Sequence, residues 1–211
     1  MNAVFDHLIV AAATLEQGEE HIEATLGVRP RRGGKHVAMG THNSLLKLGA
    51  KSFLEVIAID PEGAAPARPR WFALDSAALR DALRTGPRLI HWVARSRDID
   101  ASRRASPIEL GPVQPMERGT FRWRITIPDD GQLPGSGLVP TLIQWSDERH
   151  PADGLADSGV ALTALAGAHP EPAAIRAALA ALGLSDALKV TFSATPRLAA
   201  FLRTPRGAVT L

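Results

Sequence analysis

The chain has 211 residues, with 24 Lys and Arg against 22 Asp and Glu, no Cys and no Tyr. This length fits one or two domains and a core that needs no disulfide or structural metal. The missing Cys excludes a disulfide framework, a Cys-ligated zinc or iron–sulfur site and a thiol nucleophile, and the formal charge of +2 argues against a nucleic-acid partner.

The first 60 residues predict a strand, a helix and three further strands. Residues 5–11 form an apolar run typical of a strand buried on both faces. Thr14 and Gln17 have the spacing of a capping box, so we expect a helix to begin there and to end at Gly27. A basic turn at residues 29–34 is followed by a predicted meander of three short strands. These strands cover residues 35–39, 44–48 and 52–59.

The same order of elements returns twice. A linker rich in Ala, Pro and Gly at residues 61–69 and a helix over 71–84 lead into the second set. The predicted strands and helix of this set cover residues 89–94, 99–105 (helix), 108–117, 121–127 and 141–145. The third set comprises a strand at 160–166, a helix that begins near Pro172 and ends at Gly183, and strands at 188–192, 198–202 and 208–211. Three copies of one element order indicate internal duplication.

Four polar residues lie in otherwise apolar strands at matching places in the first two copies. His7 and His91 are in the first strand of each copy, and Glu55 and Gln144 are in the last strand. The offsets are similar, 48 positions from His7 to Glu55 and 53 from His91 to Gln144. Since a buried carboxylate needs partners, two imidazoles, a carboxylate and an amide on duplicated strands suit a divalent ion such as Fe, Mn, Ni, Co or Zn.

Each of these residues also has a purely structural interpretation. The two histidines could be hydrogen-bonded core residues, and Glu55 could form a salt bridge at a strand edge. Gln144 could orient a histidine or a substrate rather than bind an ion. In the third copy the corresponding positions are Leu162 and Val209, so this copy is predicted to be a structural extension without ligands.

Taken in order, several short motifs resemble the vicinal oxygen chelate superfamily, and within it the glyoxalase-like domain branch. The resemblance covers roughly residues 4–150 and rests on Asp6-His7-Leu8, residues 33–36 and 40–49, Leu54-Glu55, His91-Trp92, Ile143-Gln144-Trp145 and His150-Pro151. It implies an α+β fold in which duplicated βαβββ modules form an open curved barrel, with a metal bound on its concave face by His7, Glu55, His91 and Gln144. It also implies a possible homodimer.

The implied organisation is a domain at residues 1–150, built from modules 1–60 and 86–150, followed by the third, smaller βαβββ-like extension at 158–211.

The sequence departs from the pattern of glyoxalase I at Gln144. In glyoxalase I this ligand is a Glu that also acts as the general base, and an amide cannot take up the proton. The resemblance therefore extends to the fold and the metal site but not to the glyoxalase I reaction.

Further candidates lie around these strands. Glu55, His36 and His42 are candidate catalytic groups that could carry a proton. Asn43, Trp123 and His150 are candidate substrate contacts, although each also has a structural interpretation as a turn residue, a half-exposed strand residue and a loop residue, respectively.

Two functions remain open. The first is a metal-dependent lyase, isomerase or dioxygenase that acts on a small substrate with vicinal oxygens. The second is a metal-free protein that sequesters small molecules, as bleomycin-resistance relatives do.

No apolar run reaches the roughly 18–20 residues of a membrane helix, and residues 8–13 lack the preceding positive charge of a signal peptide. We therefore expect a cytoplasmic protein with a small-molecule partner and no membrane or nucleic-acid partner.

Overall fold

Strands dominate the fold, with four helices between them in the part of the chain that is described. The computed structural model describes residues 3–211, and the predicted α+β fold class is confirmed. The strands are β1 Val4–Ala11, β2 Arg31–His36, β3 Thr41–Gly49, β4 Ser52–Ile59, β5 Arg88–Arg95, β6 Val113–Arg118, β7 Phe121–Thr126, β8 Thr141–Trp145, β9 Ala161–His169, β10 Lys189–Phe192, β11 Arg197–Thr204 and β12 Gly207–Thr210. The helices are α1 Leu15–Leu26, α2 Ala77–Leu83, α3 Ile99–Ala105 and α4 Pro172–Ala181. Within residues 3–211, none of the helices is long and apolar enough to cross a membrane.

Eight strands form one curved sheet in the order β2-β3-β4-β1-β5-β8-β7-β6. In each half the first strand pairs in parallel with the last, β1 with β4 and β5 with β8. The antiparallel pair β1 and β5 joins the halves. The sheet curls until its edge strands approach each other, and a Cβ on Gly34 of β2 would lie 3.1 Å from Cδ of Arg118 at the end of β6. The predicted duplicated barrel is therefore present.

The sheet buries apolar side chains on both faces. Its convex face packs against the helices through residues such as Ile22 of α1 and Ile99 of α3. The interior of the barrel holds a second apolar cluster that includes Ile9, Val93 and Ile143. This double burial explains why the central strands read as continuous apolar runs, and it leaves the inward-facing polar residues in a largely dry environment.

The C-terminal unit has the predicted element order but a different strand pairing. Its four-stranded sheet has the order β10-β9-β11-β12, in which β9 pairs in parallel with the next strand in sequence. In the barrel halves the first strand instead pairs with the fourth strand of its own half. The unit shares the convex-face core, since Ile175 and Leu179 of α4 belong to the same cluster as Leu8 and Trp92.

Several predicted elements are wrong in their bounds. The strand expected over residues 35–39 ends at His36 and is followed by a 3-10 helix at Val37–Met39, and the strand expected over residues 108–117 begins at Val113. The helix expected over residues 71–84 is limited to Ala77–Leu83, because Phe72 and Ala73 adopt left-handed φ angles of 58° and 55° and Ser76 caps the helix through the N–H of Leu79. The basic turn at residues 29–34 is largely part of β2. This segment lacks the apolar run that predicts a strand, because β2 is an edge strand that carries charged side chains. Arg32, for example, pairs with Glu16 and Glu19 of α1.

Candidate functional site

His7 and Glu55 meet inside the barrel, as the sequence predicts. They lie on the paired strands β1 and β4, where His7 is opposite Phe53 and Ile9 is opposite Glu55. His7 Nε2 is 3.4 Å from Glu55 Oε2, and both side chains are buried, with 5% and 7% of their surface exposed. The two residues therefore form an ion pair in a region that water barely reaches.

Asp6 holds the other side of the His7 ring. A register shift in β1 between Phe5 and His7 is a β-bulge at Asp6, and Asp6 Oδ1 lies 2.7 Å from His7 Nδ1. The second oxygen, Oδ2, accepts hydrogen bonds from Arg95 at 3.0 Å, Trp145 Nε1 at 3.1 Å and His150 Nε2 at 3.2 Å. This fully buried carboxylate is satisfied by four donors, and it fixes the orientation of His7.

Asn43 and His36 approach the other oxygen of Glu55. Asn43 Nδ2 donates to Glu55 Oε1 at 2.5 Å, while its Oδ1 accepts from the N–H of Gly34. His36 Nε2 is 3.9 Å from the same Oε1. The two groups nearest to this Nε2, Asn43 Nδ2 and Arg118 Nη1 at 3.4 Å each, are donors only, and the Glu55 oxygen lies beyond hydrogen-bond distance. His36 Nε2 must therefore carry the lone pair, and Nδ1 faces the Thr41 hydroxyl at 3.1 Å.

These groups line a small cavity with aromatic walls. Its volume is about 30 Å³, and Arg118 is among its lining residues. The aromatic lining residues are Phe53, Trp71, Phe72, Trp123 and Trp145. The rings of Trp71 and Trp123 stand edge-on to His36, with centroids 5.0 and 6.2 Å from it. A volume of this size holds about two waters at roughly 10–15 Å³ each.

The pKa shifts separate the two histidines. Burial lowers the pKa of His7, but its hydrogen bonds to Asp6 and Glu55 outweigh this effect and raise the pKa above its usual value. Burial raises the pKa of Glu55, yet the hydrogen bond with His7 and the neighbouring positive charges bring it down to about 2. For His36 burial dominates and lowers the pKa to about 4. The shifts therefore favour the protonated form of His7 beside an ionised Glu55, whereas His36 is neutral at neutral pH.

His91 lies on the inner face of β5 but does not join this group. Its Nε2 accepts from the N–H of Thr141 and lies 3.0 Å from the Thr141 hydroxyl, and its Nδ1 lies 3.1 Å from the carbonyl oxygen of Gly137. Both ring nitrogens are therefore occupied, and Phe72 packs against the ring at 5.8 Å. Burial lowers the pKa of His91 to about 4.

The strand registers show which residue of the second half corresponds to Glu55. In the antiparallel β1–β5 pair, His7 is opposite Val93 and Ile9 is opposite His91. A two-fold rotation that superimposes the first half on the second therefore places His7 on His91 and Ile9 on Val93. Glu55 pairs with Ile9, and Thr141 pairs with Val93. Thr141, and not Gln144, therefore occupies the position of Glu55.

Three other predicted site residues lie outside the cavity. Gln144 accepts from the N–H of Ile99 and donates to the carbonyl oxygen of Arg97, at the start of α3. His42 faces the opposite side of β3 from Asn43 and lines a separate cavity beside α1. His150 is 2% exposed and contacts Asp6 rather than the cavity. The structure thus brings together His7, Glu55, His36, Asn43 and Trp123, and leaves His91, Gln144, His42 and His150 elsewhere.

Sequence reasoning missed four residues of the site, namely Asp6, Trp71, Phe72 and Arg118. The acid before His7 in an apolar strand was a usable signal for Asp6. Arg118 lies at the end of an edge strand in which polar and apolar residues alternate. This pattern is typical of a solvent-exposed strand, so it did not indicate that Arg118 belongs to a site. Trp71 and Phe72 precede a helix, and nothing local indicates that their backbone leaves the helical region.

The donor types at the site suit a divalent ion, but they are not yet arranged around one. Within residues 3–211 no group of three or more His, Asp and Glu side chains is already positioned to hold a metal. The closest approach is that of His7, Glu55 and His36, in which Asn43 and Arg118 point donors at the atoms that would bind the ion.

Comparison with known proteins identifies the family. The model of the glyoxalase-like domain family matches residues 5–183. The chain belongs to this family. Glyoxalase-like domains are part of the vicinal oxygen chelate superfamily, so the resemblance proposed from the motifs is confirmed. The matched region runs beyond the barrel into β9 and α4 of the C-terminal unit.

One of three similar solved structures shares this fold over most of its length. A hypothetical protein from Staphylococcus aureus is 13% identical with a TM-score of 0.67, over 93% of this glyoxalase-like chain and 88% of the other. A Streptomyces coelicolor methylmalonyl-CoA epimerase is 19% identical with a TM-score of 0.44, over 72% of this chain and 100% of its own. A methylmalonyl-CoA epimerase from Mycobacterium tuberculosis is 20% identical with a TM-score of 0.41, over 67% and 86%. The epimerase likenesses are too distant to indicate a substrate. A search of curated proteins gives no match.

Proposed function

We propose that this glyoxalase-like domain is a divalent-metal-dependent enzyme that acts on a small substrate with two adjacent oxygens. The observation that supports it is the placement of two imidazole Nε2 atoms, those of His7 and His36, at 3.4 and 3.9 Å from the two oxygens of the buried Glu55. Ligand atoms about 2.0–2.2 Å from a shared ion are separated by distances close to these. His36 takes the place that the resemblance assigns to His91.

The surroundings of His7 favour this assignment. A histidine that ligates a metal commonly donates its other N–H to a carboxylate, and Asp6 accepts from His7 Nδ1 at 2.7 Å. Binding requires His7 to release its Nε2 proton and His36 to turn its lone pair away from Asn43 and Arg118. The low pKa of His36 keeps that lone pair available at neutral pH.

The residues of this chain then have distinct tasks. Asp6 fixes the His7 ring and Asn43 fixes the Glu55 carboxylate, while the aromatic walls exclude water from the polar groups. When bound, a divalent ion supplies a Lewis acid that stabilises negative charge on substrate oxygens. Lyase, isomerase and dioxygenase chemistry all begin from such a complex, and a substrate screen on the metal-loaded protein distinguishes them.

The test is metal binding with matched variants. Protein made without a His-tag is treated with a chelator and titrated by calorimetry with Mn(II), Fe(II), Co(II), Ni(II) and Zn(II). We expect one ion per chain in the wild type and in His91→Gln, and at least a roughly 10–100-fold loss of affinity in Glu55→Gln and His36→Gln. Loss of binding in His91→Gln with retention in His36→Gln would overturn the ligand set. Failure of every ion to bind the wild type would overturn the metal-dependent enzyme.

A second function, metal-free binding of a small molecule, is favoured by a different observation. Both nitrogens of His7 and both oxygens of Glu55 already have partners within the protein, and a fully satisfied buried network is stable without an ion. If the titrations detect no ion while a ligand still binds in the cavity, this function replaces the first. The homodimer remains a prediction that sedimentation equilibrium tests.

A further inference from the structure

Two residues that line the cavity carry a buried donor without a partner among the described residues. Trp71 and Trp123 both line it and are 4% and 5% exposed, and the indole N–H of each has no partner among the described residues. A buried N–H without an acceptor is costly, so such groups are rare in native proteins. Two of them beside one cavity indicate that an acceptor is supplied from outside the chain.

Arg118 adds a charge to these donors. Its guanidinium lines the same cavity, and within residues 3–211 its side-chain contact is a long one, 3.4 Å from Nη1 to the nitrogen of His36. No carboxylate of the described chain forms an ion pair with it, whereas Asp6 and Glu55 already have their own positively charged partners. A guanidinium presents its donors in a planar fork that matches a carboxylate.

The space on either side of Arg118 sets the size of the ligand. The inner cavity of about 30 Å³ has room for a carboxylate and little more. A groove of about 810 Å³ on the outer side shares Arg118 and Trp123 with the cavity. This groove follows the seam between the edge strands β2 and β6, and it is lined by Val37, Met116 and Arg122 among others. A larger ligand can therefore place its body in the groove and its head beside Arg118, which borders both spaces.

We propose that Arg118, Trp71 and Trp123 form a carboxylate-binding subsite, and that the substrate is a small organic acid whose apolar body lies in the β2–β6 groove. The proposal deepens the proposed function. It depends on one part of that function, namely that this cavity is the substrate site. It requires no metal, because the three donors belong to the chain itself.

The test uses chelator-treated protein and two probes of the same shape, phenylglyoxylate and the neutral ketone acetophenone. We expect calorimetry to detect binding of phenylglyoxylate and at least about tenfold weaker binding of acetophenone, since hydrogen bonds to a charged group contribute the larger share. Equal affinities for the two probes, or no binding of phenylglyoxylate, would overturn the subsite.

The variants locate the effect. Arg118→Met should weaken phenylglyoxylate binding by about 10–100-fold, whereas Arg122→Met, which removes an exposed guanidinium from the same groove, should change it by less than about threefold. Trp71→Phe and Trp123→Phe keep the aromatic ring and remove the N–H, and each should cost about 3–10-fold. Equal effects of Arg118→Met and Arg122→Met would show general attraction and contradict the proposal. If Arg118→Met fails to fold by circular dichroism, the two Trp variants decide, and unchanged affinity in both contradicts it. Because no metal is present, this result does not depend on the metal titrations.

Discussion

The two halves of the barrel share one strand order but differ in the chemistry at equivalent positions. The first half carries His7 and Glu55, a charged pair next to a cavity. The second half carries His91 and Thr141, a neutral pair whose hydrogen bonds are made within the chain. Duplication supplied the scaffold twice, and the reactive groups are concentrated in one copy.

The difference arises from what packs against each pair. Phe72 lies on His91, and its left-handed backbone, which costs about 1–2 kcal/mol in a residue other than glycine, is held by the N–H of Ala73 donating to Gly131. The first pair instead faces Asn43, His36 and Arg118, which approach from strands β3, β2 and β6. The space beside His91 is therefore filled, whereas the space beside His7 and Glu55 remains open and is bordered by donors without a partner among the described residues.

The largest effect that this comparison predicts is at Asp6. Asp6→Ala removes the acceptor for His7, Arg95 and two further donors. It leaves Glu55 as the acidic partner of the buried His7 ring. We expect a loss of about 3–5 kcal/mol in the free energy of unfolding, the range for breaking a buried charge network. Urea denaturation at neutral pH measures it.

In the second half, Thr141→Val removes a side-chain partner of His91, as Asp6→Ala removes one of His7 in the first half. It removes the hydroxyl beside His91 but keeps the backbone hydrogen bond, so we expect a loss of about 1 kcal/mol. Equal costs for the two variants would show that the halves do not differ in the way that their contacts indicate.

Much of the fold was accessible from sequence because apolar runs and turn residues are local signals. The capping of α1 is an example, since Thr14 accepts from the N–H of Gln17 and Gly27 ends the helix with φ 81°. The buried polar residues His7 and Glu55 were found in the same way, as exceptions within apolar strands. These signals depend only on neighbours in the chain.

Strand register and irregular backbone were not accessible. Gln144 was matched to Glu55 by counting along the chain, but loop lengths differ between the halves, and hydrogen-bond pairing places Thr141 there instead. The pattern of residues 71–84 is helical by apolar spacing, yet Trp71 and Phe72 gain more by burial in the barrel. Arg118 enters the site because β2 and β6 approach each other, a contact between residues far apart in sequence.

The contrast between the two pairs also predicts a pH dependence of stability. The pKa of His91 is about 4 in the folded protein and about 6.5 when unfolded, so the unfolded state binds more protons between these values. Stability from a neutral His91 is complete above about pH 6.5 and declines as the pH falls toward about 4, by about 3 kcal/mol in total. His7 has the opposite sign, since its raised pKa stabilises the fold at low pH and this contribution is lost as the pH rises.

Urea denaturation of metal-free protein across this range separates the two histidines. His91→Gln should reduce the slope on the acid side of the stability curve, where His36 contributes with the same sign, while His21→Gln on α1 serves as the control. An unchanged acid slope in His91→Gln would mean that the second half does not hold its histidine neutral.

A small effect is expected at Gln144, and it tests whether this residue belongs to either pair. Its side chain accepts from the N–H of Ile99 in the first turn of α3 and donates to the carbonyl oxygen of Arg97. Gln144→Ala should cost about 1 kcal/mol in the free energy of unfolding, as expected for losing a helix-terminal contact. Titration with the same five metal ions should give affinities within about threefold of the wild type, in contrast to Glu55→Gln, because the side chain of Gln144 makes its hydrogen bonds to Ile99 and Arg97 and not to the polar groups of the cavity. A large loss of metal affinity in Gln144→Ala would instead mean that β8 turns in solution to present Gln144 to the barrel, and it would restore the four-ligand arrangement that the motifs imply.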